Sequence, residues 1–173
     1  MLKQYGFYFD EDRCVGCFNC VIACKSVNNH QTGIKWITLT ESWKGNYPEV
    51  SRKFMVIPCL HCENPPCLDA CLPEAILKRT EDGIVVVERG KCNGCCECLT
   101  ACPYSVPQFG SDGLMQKCDF CLSVGIAPAC AVSCPAEALR YGPLDELIQI
   151  AQKQHKQAKR LEGEANPAMF VVT

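Results

Sequence analysis

Seventeen cysteines punctuate the 173 residues, and sixteen of them fall into four runs with one grammar. Cys92, Cys95, Cys98 and Cys102 follow C-x2-C-x2-C-x3-C and are closed by Pro103. Cys14, Cys17, Cys20 and Cys24 repeat that spacing. Cys59, Cys62, Cys67 and Cys71 widen the middle gap to four residues, and Cys118, Cys121, Cys130 and Cys134 widen it to eight before Pro135. Thiolates are ligands for soft metal centres. Three of them in one tight loop can hold three corners of a compact [4Fe–4S] cube, while the fourth starts a helix, points away and serves a second cube. Four such runs supply ligands for four [4Fe–4S] clusters and leave Cys96 over.

Other uses of so much cysteine fit less well. A disulfide scaffold would want an even count, and these spacings repeat a metal-ligand grammar instead. Zinc sites usually take two separated pairs rather than three converging cysteines and a distant fourth. The N-terminal MLKQYGFYFDEDR has neither a long apolar stretch nor paired arginines, so no targeting signal is expected. No segment approaches the roughly 18 apolar residues of a membrane span. The formal charge is −2; four clusters at about −2 each take the loaded protein to about −10, a charge that nucleic-acid phosphates repel.

The cysteine runs need elements to position them. Tyr5–Asp10 reads as an aromatic strand feeding the first run, and Val21–Val27 as a short helix leaving it. Ile34–Glu41 alternates like a strand. Trp36, Trp43 and Tyr47 nearby are read as small-core residues. Lys53–Pro58 is a strand entering the second run, whose enlarged gap is shaped by Pro65 and Pro66. Glu74–Arg79, a turn at Thr80–Gly83 and a strand at Ile84–Glu88 lead to the third run. Ala136–Tyr141 echoes Glu74–Arg79, as an internal repeat would. Pro143–Arg160 is expected to be an amphipathic helix with Leu144, Leu147, Ile148 and Ala151 on its apolar side. Lys153, His155, Lys156, Lys159 and Arg160 form a basic end, read as a solvated face. Met169–Val172 is expected to add an edge strand.

The order of run, hairpin and run between Cys59 and Pro103 is that of a complete two-cluster ferredoxin. Runs two and three therefore pair with each other, which leaves runs one and four as partners across the chain. The expected clusters are A, held by Cys14, Cys17, Cys20 and Cys134; B, by Cys24, Cys118, Cys121 and Cys130; C, by Cys59, Cys62, Cys67 and Cys102; and D, by Cys71, Cys92, Cys95 and Cys98. The fold class that follows is α+β. Two ferredoxin-like two-cluster domains are expected, an inner one (53–112) inserted into an outer one (1–52 with 113–173), with a C-terminal amphipathic helix.

Cys96 is read as a spare buried thiol rather than an alternative ligand to Cys95 or a redox thiol. His61, between Cys59 and Cys62, is read as a hydrogen-bond donor to cluster sulfur or backbone rather than an iron ligand. His30 and His155 have no ligand context. Lys78, Arg79, Arg89, Lys91 and Lys117 lie near the runs in sequence, and any that lie near a cluster in space would raise its potential. No phosphate loop, Ser/His/Asp set or other bond-making constellation is present, so no catalytic residue is assigned.

The four-run grammar, together with Cys59-Leu60-His61-Cys62-Glu63-Asn64-Pro65-Pro66-Cys67, resembles the iron–sulfur subunits of the dimethyl sulfoxide reductase family from Tyr5 to Pro143. The resemblance implies a non-catalytic electron-transfer subunit. Its partners would be a molybdopterin-containing catalytic subunit and a quinone-reactive membrane anchor, with location at the cytoplasm, at the membrane through partners, or across it with a signal-bearing partner. Cys95 stands where some relatives have Trp and a [3Fe–4S] cluster, which implies four [4Fe–4S] clusters here. Two other assignments use the same residues: a hydrogenase or formate hydrogenlyase electron-transfer subunit, and a free polyferredoxin.

Overall fold

A computed structural model of the chain describes residues 3–154 and 156–172. His155 therefore lies outside the described residues. The architecture is α+β: short strands and short helices are hung on the cysteine loops.

The main sheet has four strands. β1 (Tyr5–Asp10) lies between β8 (Leu139–Pro143), antiparallel, and β10 (Met169–Val172), parallel; β9 (Ala158–Arg160) flanks β10. Alternation and aromatic content make β1 a strand, and its central position buries both faces: Phe7 and Phe9 are fully buried on one side and Tyr8 on the other. Met169–Val172 is thus interior, not an edge. Its parallel pairing with β1 is long-range, and local sequence carries no sign of it.

Helix α5 (Leu144–Lys153) covers the Tyr8 face with Leu147 and Ala151 buried and Leu144 and Ile148 packed beside them. The helix expected to reach Arg160 stops at Lys153, and 158–160 is strand. The basic end is correspondingly dismantled. Lys156 reaches back to buried Asp10, with Nζ 2.8 Å from both carboxylate oxygens. On β9, Lys159 pairs with Glu162 and Arg160 with Glu63. Strand pairing and a buried counter-charge override helical periodicity there.

Three two-stranded ribbons complete the fold. β2 (Thr38–Lys44) and β3 (Ser51–Ile57) form a projecting hairpin, β4 (Ile76–Lys78) and β5 (Val85–Val87) a second, and β6 (Gln108–Phe109) and β7 (Met115–Gln116) a third. β2 begins four residues later than the alternation at Ile34 implied, because Ile34 and Ile37 are buried in the connecting loop rather than on a strand. The hairpin tip stands clear of the protein. Trp43 is 62% exposed and Tyr47 93% exposed, so neither is a core residue; only Trp36 packs against the core, its Nε1–H donating to Gln116 Oε1 at 3.2 Å.

The remaining helices are α1 (Asn19–Val27), α2 (Pro66–Asp69), α3 (Glu97–Ala101) and α4 (Ala129–Val132), and they pack as α1 on α4 and α2 on α3. The same arrangement thus occurs twice. The strand entering run one, β1, pairs antiparallel with the strand leaving run four, β8; the strand entering run three, β5, pairs antiparallel with the strand leaving run two, β4. Glu74 (φ 52°) and Glu137 (φ 49°) sit at equivalent points, three residues after Cys71 and Cys134. Among the described residues no helix is long and apolar enough to cross a membrane.

Candidate metal centre

Each run opens with the same backbone device. The residue before the second cysteine has positive φ in all four: Gly16 (65°), His61 (41°), Gly94 (72°) and Phe120 (63°). A left-handed residue there turns the chain tightly enough for the loop's thiols to face one point. At Gly94 an added Cβ would stand 2.6 Å from the Gly113 carbonyl oxygen, and at Gly16 it would meet the Phe54 ring. Runs two and four place side chains in this costly conformation, and those two side chains hold the centre of the molecule together. His61 and Phe120 meet edge to face at 5.1 Å, and Phe120 lies 4.6 Å from Phe7. A second left-handed position lies just before the helix in runs one and three, held by Phe18 (62°) and Cys96 (65°). The odd cysteine occupies this cap. It is exposed, not buried as expected, and its Sγ lies 3.4 Å from the Gly94 carbonyl oxygen.

Two of the expected cysteine sets line small cavities, and the other cysteines expected as ligands are buried or half-buried. The β1–β8 pairing and the α1–α4 contact carry Cys134 to Cys14, Cys17 and Cys20. These four line one small cavity with Phe9, Leu39, Val56 and Leu139. Burial pushes the Cys20 thiol up to about 11, and the neighbouring Cys134, Cys14 and Cys17 push the same way. Cys71 joins Cys92, Cys95, Cys98 and the odd Cys96 around a second small cavity closed by Phe109 and Met115. Burial raises Cys98 to about 11, with Cys71, Cys92 and Cys95 adding to it.

The other two groups are deeper. Burial raises Cys24 to about 12, assisted by Cys121, and raises Cys130 further, assisted by Cys24 and Cys121. Cys118 is buried (8% exposed), and burial raises its pKa, with Cys130 adding to it. Cys62 and Cys67 are each raised to about 12 by burial, with Cys59 and Cys102 beside both. Neighbouring sets adjoin: Cys20 lies near Cys24 and Cys130, Cys118 lies near Cys59, and Cys67 packs in one cluster with Cys71, Cys92 and Cys98. Cys17 at one end and Cys95 at the other are exposed.

Such groups suit an iron–sulfur core. All seventeen thiols are free of disulfides. Burial opposes the ionisation of Cys14, Cys20, Cys24, Cys62, Cys67, Cys98, Cys118 and Cys130, and a bound metal centre would supply the missing positive charge. Backbone N–H groups already point at sulfur: Ala75 to Cys71 at 3.3 Å, Met115 to Cys92 at 3.4 Å and Phe120 to Cys118 at 3.5 Å. Among the described residues no three Cys, His, Asp or Glu side chains close on the point a single ion would occupy.

His61 takes a role the sequence reading did not assign. It is 1% exposed, and its Nδ1 accepts from the Val85 N–H at 3.1 Å rather than donating to backbone. Burial holds its pKa well below the ordinary value, so the ring is neutral and Nε2 carries the proton, with no acceptor among the described residues. Of the five cations near the runs, three are spent on surface carboxylates: Arg79 on Asp82 and Glu81, Arg89 on Asp112, Lys91 on Glu88. Lys78 and Lys117 are not. The burial of Lys117 (3% exposed) had no signal in the sequence beyond its place next to Cys118.

Comparison with known proteins agrees with this chemistry. The profile of the 4Fe-4S dicluster domain family matches residues 50–144. An anaerobic dimethyl sulfoxide reductase chain of Escherichia coli (strain K12) is 39% identical over 159 residues, covering 85% of this chain and 77% of the relative. The corresponding chain from Haemophilus influenzae (strain ATCC 51907 / DSM 11121 / KW20 / Rd) is 37% identical over 159 residues, covering 84% and 77%. Protein NrfC of Escherichia coli (strain K12) is 35% identical over 179 aligned residues, covering 98% and 80%.

Proposed function

Because the chain belongs to the 4Fe-4S dicluster family that includes the iron–sulfur chains of dimethyl sulfoxide reductases, we propose that it carries four [4Fe–4S] clusters and relays single electrons within an oxidoreductase complex. The observation that carries this reading is the row of four cysteine groups with one exposed thiol at each end. In the proposal, cluster A takes Cys14, Cys17, Cys20 and Cys134, and cluster B takes Cys24, Cys118, Cys121 and Cys130. Cluster C takes Cys59, Cys62, Cys67 and Cys102, and cluster D takes Cys71, Cys92, Cys95 and Cys98. The outer domain, 1–52 with 113–173, holds A and B; the inner domain, 53–112, holds C and D.

The adjacency of the groups supports the order A–B–C–D. Each cluster, when bound, would accept and release one electron without bond-making. The protein's part is to fix four thiolates around each core, exclude water from B and C, and present A and D at the surface. Full thiolate sets leave no open coordination position, which makes the protein a conductor rather than a catalyst. The partners proposed for the two ends are a molybdopterin-containing catalytic subunit and a quinone-reactive membrane anchor.

The test is replacement of Cys95 by Ser in the assembled complex, with Cys96 also replaced so that it cannot substitute. Turnover driven by quinol falls sharply, because a single row has no bypass. Turnover driven by a small dye that reduces the catalytic subunit directly persists. Quinol-linked activity that survives demonstrated loss of the cluster would refute the relay.

A further inference from the structure

Lys117 is a lysine buried in the middle of the molecule with no carboxylate partner among the described residues. Its side chain is 3% exposed, and Nζ donates to the carbonyl oxygens of Val85 and, at 3.0 Å, Cys118. An ammonium has three N–H donors, so one remains. Lys78, half-buried, is similar: Nζ donates to the carbonyl oxygens of Cys62 at 2.9 Å and Glu63 at 2.8 Å. Among the described residues neither lysine has a carboxylate within ion-pair distance, whereas Arg79, Arg89 and Lys91 all do. An unpaired buried charge is strongly disfavoured, and an anionic cluster enclosed by the adjoining cysteine groups would supply the counter-charge.

The two lysines are not spread evenly over the four cysteine groups. Lys117 is next to Cys118 in sequence and bonded to its carbonyl, and it is also bonded to the carbonyl of Val85, whose N–H donates to His61 beside Cys62. Lys78 is bonded to the carbonyl of Cys62 itself. Among the described residues, Cys62 and Cys118 are the cysteines whose carbonyls accept from a lysine or arginine side chain, and neither belongs to an end group. The internal positive charge is therefore concentrated at B and C, with Lys117 between them and Lys78 on C alone.

That placement answers a physical problem of the row. A thiolate-ligated cluster is anionic and becomes more so on reduction. Burial disfavours the extra negative charge, so an enclosed cluster is harder to reduce than an exposed one. Without compensation the two enclosed central sites would be a step that an electron has to climb between the two exposed ends. We propose that Lys117 and Lys78 are the built-in counter-charges that hold the central clusters reducible, Lys117 serving B and C and Lys78 serving C. The proposal rests on the four-cluster reading above, and it adds a nested pattern that the reading alone does not contain.

The test is an anaerobic redox titration of the loaded protein followed by electron paramagnetic resonance, with iron counted on each sample. Lys117→Gln keeps two N–H donors for the carbonyls and removes the charge. Two of the four midpoint potentials fall, each by about a tenfold change in the reduction equilibrium, about 59 mV for one electron; the other two stay. Lys78→Gln lowers one potential, and it is one of the same two. Lys117→Arg, which keeps the charge, leaves all four in place. Potentials that do not move in Lys117→Gln, or that move together in all four, overturn the proposal. Should Lys117→Gln fail to hold four clusters, Lys117→Arg decides. Full loading with unshifted potentials in the arginine variant, together with the single shift in Lys78→Gln, upholds the role of charge; loss of clusters with arginine as well overturns it. A wild-type iron count near eight instead rejects the four-cluster reading itself, before any variant is compared.

Discussion

In one half of the molecule the strand that leaves run two turns back after residues 79–84 and enters run three, so β4 and β5 pair as a local hairpin. In the other half the strands that do the same job, β1 and β8, come from opposite ends of the chain. Closing that long loop costs more chain entropy than closing the hairpin, and the two halves are supported accordingly. The long-range pair is built into a four-stranded sheet with α5 across it and with Phe7, Phe9, Tyr8, Leu147 and Met169 fully buried. The local pair has a small cluster of Ile76, Val85, Cys98 and Met115, one member of which is itself a candidate iron ligand. The same strand–run–helix unit thus rests on a sheet-and-helix core in one half and on a smaller apolar cluster in the other.

Removing the metal gives the largest contrast. Anaerobic chelation of the iron is expected to release the inner half first: amides of 76–78 and 85–87 exchange at nearly unfolded rates, while those of β1 and β10 keep measurable protection. Hydrogen exchange read by mass spectrometry checks this, and equal loss in both halves would erase the distinction drawn here.

With clusters in place, core truncations should divide the same way. Phe7→Ala is expected to cost about 3–5 kcal/mol and Val85→Ala about 2 kcal/mol, read as shifts of the guanidinium midpoint under anaerobic conditions. A larger loss at Val85 than at Phe7 would mean that the inner hairpin carries more of the fold than its burial implies.

How far the sequence discloses this contrast depends on the range of the interaction. Spacing marks the four cysteine runs, because ligand grammar is local, and the strand at Tyr5–Asp10 is marked by its aromatics. The C-terminal segment is different. Leu144–Ala151 has helical periodicity that continues past Lys153, yet Lys156 is drawn to Asp10 and 158–160 to β10. Both attractions are invisible without the fold. Trp43 and Tyr47 mislead for the same reason: aromatic residues imply a core, and only the direction of the β2–β3 hairpin shows that they point to solvent. The positive-φ position in the four runs is legible at Gly16 and Gly94 but not at His61 and Phe120, where packing in the centre offsets the strain.

The Asp10–Lys156 pair sharpens the comparison further, since it clamps the outer half alone. Asp10 is fully buried, and Lys156→Met leaves its carboxylate unanswered, at an expected cost of about 3 kcal/mol near neutrality. The hydrogen bonds to Asp10 raise the Lys156 pKa above its ordinary value. A raised pKa in the folded state means that this stabilisation is complete below the unfolded lysine value of about 10.4 and is lost as pH rises through the folded value. Wild type and Lys156→Met should therefore differ most near pH 7 and converge in strong alkali. Curves that run parallel to the alkaline end would show that the ammonium is not the source. The smallest effect is expected at Arg89→Ala, which removes an exposed pair with Asp112 from the inner half. Its midpoint should move by less than about 1 kcal/mol.

The most direct test of four cysteine groups as four clusters is anaerobic determination of iron and acid-labile sulfide in the purified protein. About sixteen of each per polypeptide is the expected result. About eight of each would contradict it and would leave one half of the molecule without the metal sites that its cysteines are here proposed to hold.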